Sequence, residues 1–159
     1  MIYSASDVVG SVMGGLTATA LFFFIFWKGL RVWYRIGKGL AKRKIAIFAE
    51  NEYESLAGLL TDFGMVNRKN IMKIGPNDLG KAKQCDLYIV HYKPFSDKIE
   101  RIVDSIDDGK MLIIYAPPDE GRLEQEVMNR INQHRNAITV NFRGRLLNDV
   151  IFSMVTVRS

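Results

Sequence analysis

Residues 8–27 carry no charged side chain, with Asp7 standing just before the run and Lys28 just after it. As a helix, twenty such residues rise about 30 Å, the thickness of a bilayer's hydrocarbon core. The run closes on Leu21, Phe22, Phe23, Phe24, Ile25, Phe26 and Trp27, more apolar than a soluble helix requires. A cleavable signal peptide is the alternative. Such peptides place positive charge ahead of a shorter apolar core, and here no positive charge precedes the run. The chain is therefore expected to keep one transmembrane helix over 8–27, after a short extracytoplasmic terminus at 1–7.

Charge sets the orientation. The chain has 159 residues and a net charge of +5, with a pI near 9.4. Residues 28–44 hold seven of its 22 basic residues and no acid. Asp7 is the one acid before them, so residues 45–159 hold 15 basic against 16 acidic residues, a net of −1. The basic excess thus belongs to the segment beside the membrane helix, and bulk charge argues against nucleic acid as a partner of the rest. Lys and Arg next to a membrane helix stay on the cytoplasmic side. The expected location is the inner or plasma membrane, single-pass, with the amino terminus outside and residues 45–159 in the cytoplasm.

Within 28–44, Lys28, Arg31, Arg35, Lys38 and Lys42 recur at helical spacing and form one stripe. Trp27, Trp33 and Tyr34 suit the headgroup level. The segment reads as an extension of the membrane helix or as a short helix on the inner leaflet. Its stripe would contact anionic lipid at about 1 kcal/mol per well-placed charge. The plainer alternative is a solvated linker that only sets topology. In the span itself, Gly10, Gly14 and Ala18 recur every four residues, a spacing that lets helix backbones approach and would support a homo-oligomer. Glycine is also simply common in membrane helices.

Residues 45–159 alternate apolar runs with helical spacing. Strands are expected at 45–49, 71–74, 86–90, 111–115 and 137–142. Helices are expected after Asn51 with Glu54 as a capping box, over 78–83, over 96–108 with Ser96 or Asp97 as cap, around Leu123, Val127, Met128 and Ile131, and from Leu146 to Val155. Strands that are apolar along their whole length, alternating with helices, imply a parallel sheet covered on both faces. The expected fold is α/β: a five-stranded, doubly wound, flavodoxin-like sheet of order 2-1-3-4-5 behind one transmembrane helix. The loops before the strands carry Arg68, Lys69, Lys83, Lys110 and Arg135, and those after them carry Glu50, Glu52, Asp119 and Glu120. The domain should be polarised, with the basic edge toward lipid, although Asp107 and Asp108 run against the pattern on one side and Lys93, Arg143 and Arg145 on the other.

Open parallel sheets bind ligands at the carboxyl ends of their strands. Candidate ligand-binding residues there are Glu50, Glu52, His91, Lys93, Asn141 and Arg143, and a polar rim of this kind also occurs without any ligand. Arg143 and Arg145 could hold a phosphate or nucleotide. They could also pair with Asp119, Glu120 or Asp149, and the pairing is preferred. Cys85 is the single cysteine, which excludes an intrachain disulfide or a zinc-cysteine cluster, and no metal site is expected. It reads as a small buried apolar residue. His134 reads as a partner of a helix end. Walker A, GxGxxG, GxSxG and HExxH patterns are absent.

In layout the domain resembles response-regulator receiver domains, with residues 86–94 similar to their third strand and following loop. Where that family has its phosphorylated aspartate this chain has His91. Its hydroxyl position falls near Ala116, its lysine near Arg143, and its paired acids at Glu50 and Glu52. These departures imply no aspartyl phosphorylation and no magnesium. The domain also resembles Toll/interleukin-receptor domains, whose enzymatic members cleave NAD with a glutamate after strand three. That resemblance implies Glu100 as the candidate catalytic residue, with Phe95-Ser96 before it and a nucleotide as a possible cofactor. A solvated helix position is the preferred reading of Glu100.

The expected function is a membrane-anchored cytoplasmic module working by recognition or assembly, non-enzymatic, in a setting that by analogy is bacterial signalling or defence. The expected partners are anionic lipid and either a second copy or another membrane protein. The alternatives are a Toll/interleukin-receptor-like effector that cleaves NAD or senses nucleotide, and a structural subunit of a membrane complex.

Overall fold

The computed structural model describes residues 5–64, 66–75, 77–107 and 109–156. Within α1 (Ala5–Lys42), the surroundings of Gly10, Arg35 and Lys38 lie outside the described residues. The chain divides into two units, Met1–Lys38 and Gly39–Ser159.

Among its described residues the first unit is helix. α1 runs 38 residues without a break, about 57 Å at 1.5 Å per residue. The segment after residue 28 therefore extends the apolar helix rather than forming a separate one. Within it, Met13–Arg31 is long and apolar enough to cross a membrane. Thr17 and Thr19 donate their hydroxyls to the carbonyls of Met13 and Gly15 four residues back, at 2.6 and 2.8 Å. Polar hydrogens on this apolar surface are thereby satisfied without water. The rings of Phe22 and Phe26 stack at 6.1 Å, and the Lys28 ammonium sits 4.6 Å above the Phe24 ring.

The second unit is built on β1 (Ile45–Phe48), β2 (Ile71–Lys73), β3 (Leu87–His91), β4 (Met111–Tyr115) and β5 (Ala137–Val140). All neighbours pair parallel in the order β2-β1-β3-β4-β5, the order expected from the sequence. Alternate residues of the central strands feed two cores. Ile45, Ile47, Ile89 and Ile113 meet Leu56 and Leu60 of α2 (Tyr53–Asp62) and Leu146 and Val150 of α6 (Arg143–Thr156). On the other face, Phe48, Tyr88, Val90 and Leu112 meet α3 (Leu79–Ala82), α4 (Ile99–Asp104) and α5 (Gln125–Gln133) through Ala82, Ile102 and Ile131. Phe48 anchors this second core, stacked on Tyr88 at 6.2 Å and edge-on to Phe95 at 6.0 Å. Cys85 is fully buried among these side chains, and desolvation pushes its thiol pKa up, as suits an inert residue.

Local chemistry shifts several helix starts. No capping box forms at Asn51 and Glu54: Glu52 occupies the cap position without a side-chain bond, and Glu54 pairs instead with Arg68 at 2.5 Å. The helix expected over 96–108 is shorter. Pro94 opens a 3-10 turn at Lys93–Lys98, Ser96 bonds back to the Lys93 carbonyl at 3.2 Å, and α4 begins only at Ile99. α2 stops at Phe63-Gly64, where Gly64 takes φ +75°, a conformation costly for side chains with a Cβ.

A parallel sheet sends every strand start to one edge and every strand end to the other. The starting edge carries Lys44, Arg68, Lys69, Lys83, Lys110 and Arg135. There the backbone N–H of Lys44 donates to Asp86 at 3.0 Å, and the Lys110 ammonium donates to the Lys83 carbonyl. The finishing edge carries Glu50, Glu52, Asp119 and Glu120 together with Lys93, Arg143 and Arg145.

Two measurements check this packing. Phe48→Ala should cost about 3–5 kcal/mol, read by urea unfolding, because it empties the centre of the second core. Burial, then the neighbouring Cys85, Asp107 and Asp86, push the Tyr88 hydroxyl up to about 12 from an ordinary 10. Between those values the folded chain holds a proton that the unfolded chain has lost, so stability falls as pH rises through that window. Melting temperature should drop from pH 10 upward, and Tyr88→Phe should flatten the drop.

Candidate functional site

β1 connects to β2 on one side, and everything from β3 onward lies on the other. The crevice at the finishing edge of such a sheet is where doubly wound folds receive ligands. A cavity of about 300 Å³ opens there, with four of the six sequence candidates, Glu52, His91, Asn141 and Arg143, in its wall. Tyr115, Pro117, Pro118, Asp119, Glu120 and Phe142 complete it.

Strand register makes the floor. His91 and Tyr115 end β3 and β4 as direct partners, with ring centres 5.6 Å apart. Tyr92 N–H donates to the Tyr115 carbonyl at 2.8 Å and Ala116 N–H to Val140 at 2.9 Å, so the three strand ends stay level. Pro117 and Pro118 then break β4 into a short 3-10 turn, Pro118–Glu120, which carries Glu120 back over His91. His91 Nε2 lies 2.8 Å from Glu120 Oε2, with the imidazole buried and the carboxylate partly open. His91 Nδ1 is buried and has no hydrogen-bond partner among the described residues. A proton there would be an unsatisfied buried donor, so the geometry assigns the tautomer with hydrogen on Nε2, donating to Glu120.

α6 makes the wall. It starts at Arg143, one residue past Phe142, whose carbonyl accepts the Leu146 N–H at 2.9 Å. The Arg143 guanidinium reaches across to Glu52, and donates to Ser55 Oγ at 2.8 Å. The Tyr115 hydroxyl raises its pKa first, partial desolvation opposes that, and Glu52 adds to the rise. Arg143 therefore ties the end of β5 to the loop after β1, a partner that the sequence reading did not name. Arg145 pairs with Asp149 at 3.6 Å, as that reading preferred.

The remaining candidates lie elsewhere. Glu50 is exposed and contributes its backbone carbonyl to Lys73 at 3.3 Å. Lys93 is exposed at the start of the 3-10 turn. Glu100 is exposed in the first turn of α4 and lines none of the described cavities. Arg31 and Lys42 are exposed on α1, as are Gly14 and Ala18. His134 caps α5, and its Nε2 lies 3.2 Å from the Ile106 carbonyl.

Tyr115 and Phe142 escaped the sequence reading. Tyr115 is the register partner of His91, a relation visible only once β3 and β4 are paired. The sequence pattern places Phe142 at the end of the fifth strand, but β5 stops at Val140 and leaves the residue 65% exposed in the cavity wall. A second cavity of about 570 Å³ adjoins the first through Pro118 and Asn141, walled by Leu123, Met128 and Thr139 with Arg122 at its rim.

Chemically the site holds its own charges. Glu52 is engaged by Arg143, and Glu120 by His91. No cluster of three or more His, Cys, Asp or Glu suited to a metal occurs among the described residues. The arrangement is a fixed polar cleft with one exposed aromatic ring. Comparison with family models, curated proteins and solved structures finds no match.

Glu120→Ala would leave the buried His91 Nε2–H without an acceptor. It should cost about 1–3 kcal/mol in urea unfolding, and Glu120→Gln, which keeps an acceptor oxygen, should recover most of the loss.

Proposed function

We propose that this chain is a membrane-anchored recognition module, which holds its α/β domain at the cytoplasmic face and receives a partner at the finishing edge of the sheet. One observation carries the anchor. Residues 21–27 are all large and apolar, and each is between 56 and 72% exposed. Burying one such side chain is worth about 1.5–3 kcal/mol, so an uncovered row of seven is a strong drive to leave water. A bilayer is the cover that fits a single continuous helix with its backbone bonded internally.

The seven basic residues in 28–44 support the orientation, with the domain on the cytoplasmic side and the inner or plasma membrane as location. Lys28, Arg31 and Lys42 suit contact with anionic headgroups. Recognition rather than catalysis is supported by the cleft itself, where the Glu52, Glu120 and Arg143 side chains are engaged with one another or with His91.

Fractionation of cells tests the anchor. Full-length protein should pellet with membranes and resist carbonate extraction, and Phe22→Lys with Phe24→Lys should release it, at a cost of about 2.5–3.5 kcal/mol per charge placed mid-span. Protease added outside intact cells should leave residues 45–159 uncut. Full-length protein in the soluble fraction, or a domain cleaved from outside, would overturn the reading.

A further inference from the structure

We propose that the starting edge of the sheet is a docking surface for anionic lipid, which lays the domain against the bilayer that holds α1. This rests on reading α1 as the anchor, and it adds a contact made by the domain itself.

A cation stands ahead of every strand. Lys44 precedes β1, Lys69 β2, Lys83 β3, Lys110 β4 and Arg135 β5, none by more than four residues. In the order β2-β1-β3-β4-β5 these residues form one row across the full width of the edge, about 19 Å long at about 4.8 Å between strands. Lys44, Lys69, Lys83 and Arg135 are exposed and Lys110 is half-buried. The ammonium bonds seen here go to neutral groups, Lys44 to Gln84 Oε1 at 3.0 Å and Lys110 to the Lys83 carbonyl. Acids share the edge. Asp104 is held by Arg130 at 2.7 Å, and Asp86 accepts the Lys44 N–H at 3.0 Å. Asp62 and Asp107 are exposed, and Asp108 lies outside the described residues. The row of cations, none with a carboxylate partner among the described residues, outnumbers these acids.

Two exposed rings lie toward the same edge. α2 and α6 both start at the finishing edge and run back over the first core, where Leu60 and Met154 near their far ends are still buried. Phe63, just past α2, is 49% exposed, and Phe152, near the end of α6, is 66% exposed. Aromatic rings beside a row of lysines suit the headgroup layer, where rings enter the acyl boundary and ammonium groups meet phosphates. A nucleic-acid duplex would answer the charges and leave both rings in water. The chain also arrives at this edge. The unit Gly39–Ser159 takes in the last turn of α1, and from Lys42 the chain reaches Ile45 in three steps, at most about 10 Å. An edge tethered to a bilayer anchor meets lipid as an intramolecular event, so contacts too weak to hold a free domain are enough.

The test reconstitutes the full chain, one per nanodisc, in phosphatidylcholine alone and in phosphatidylcholine mixed with phosphatidylglycerol. Acetylation of each lysine is followed by mass spectrometry. Lys69, Lys83 and Lys110 should react about fivefold more slowly in the anionic discs, the factor that about 1 kcal/mol per charge implies, and high salt should remove the protection. Lys93, exposed at the opposite edge, should react equally in both. Lys69→Gln with Lys83→Gln should return Lys110 to its rate in phosphatidylcholine. Phe63→Ser with Phe152→Ser should lower the salt concentration at which protection is lost. Four outcomes overturn the surface: equal rates in the two discs, protection of Lys93 as strong as that of Lys83, stronger protection by a short DNA duplex than by anionic lipid, or protection that needs two chains per disc, which assigns the edge to a second copy. Entry into the discs, read by size exclusion, reports the anchor separately. Chain that enters without protection refutes the surface alone. Chain that stays outside refutes the anchor alone, and sedimentation with vesicles of the same anionic mixture, salt-sensitive in the wild type and lost in the double Gln variant, then decides the surface.

Discussion

A parallel sheet has no face to give to water. β1, β3 and β4 of this chain are buried from end to end, so each strand needs helices above and below it and each crossover must return to the same starting edge. Almost everything else in the domain is a consequence. Helices α2 and α6 cover one face and α3, α4 and α5 the other. The loops before the strands gather at one edge with their lysines and arginines, and those after the strands gather at the other with their carboxylates. Opposite charges sit at both edges, with Asp86 and Asp107 at the start and Lys93, Arg143 and Arg145 at the finish, so the division is partial.

The acidic end is organised by two contacts between elements distant in the chain. Glu120 returns to His91 because two prolines end β4 and turn the backbone over the neighbouring strand. Arg143 crosses to Glu52 because only two residues separate α6 from the end of β5, with its first side chain reaching along the sheet edge to the loop after β1. Each contact satisfies a group whose isolation at the partly buried edge would be costly. Together they keep the cleft rigid while leaving Asp119 and the Phe142 ring exposed.

The apolar helix shows the reverse arrangement. Its threonines return their hydroxyls to their own backbone, its phenylalanines stack on each other, and its large side chains stay on the outside. In the domain Phe48 and Phe95 face inward instead. The contrast follows from the physics of burial: a side chain is placed where water is absent, whether that is inside the protein or in lipid.

Periodicity and charge alone determined much of this protein. The uncharged run marked the apolar helix, the basic cluster after it located the whole charge excess, and wholly apolar strands alternating with amphipathic helices specified a parallel sheet and its order. These are legible because they depend on the average character of a segment, which survives any detail of contact. Element ends depended on single contacts instead: Pro94 and Ser96 diverted the start of α4 into a 3-10 turn, and Glu54 left its capping role for Arg68. The cleft was half legible. Glu52, His91, Asn141 and Arg143 follow from lying just past strand ends, but their partners do not. That Glu52 meets Arg143 across 91 positions, and that Tyr115 lies beside His91, was decided by strand register and by where β5 stops. Such pairings are properties of the folded edge, because sequence separation carries no information about distance until the sheet has closed.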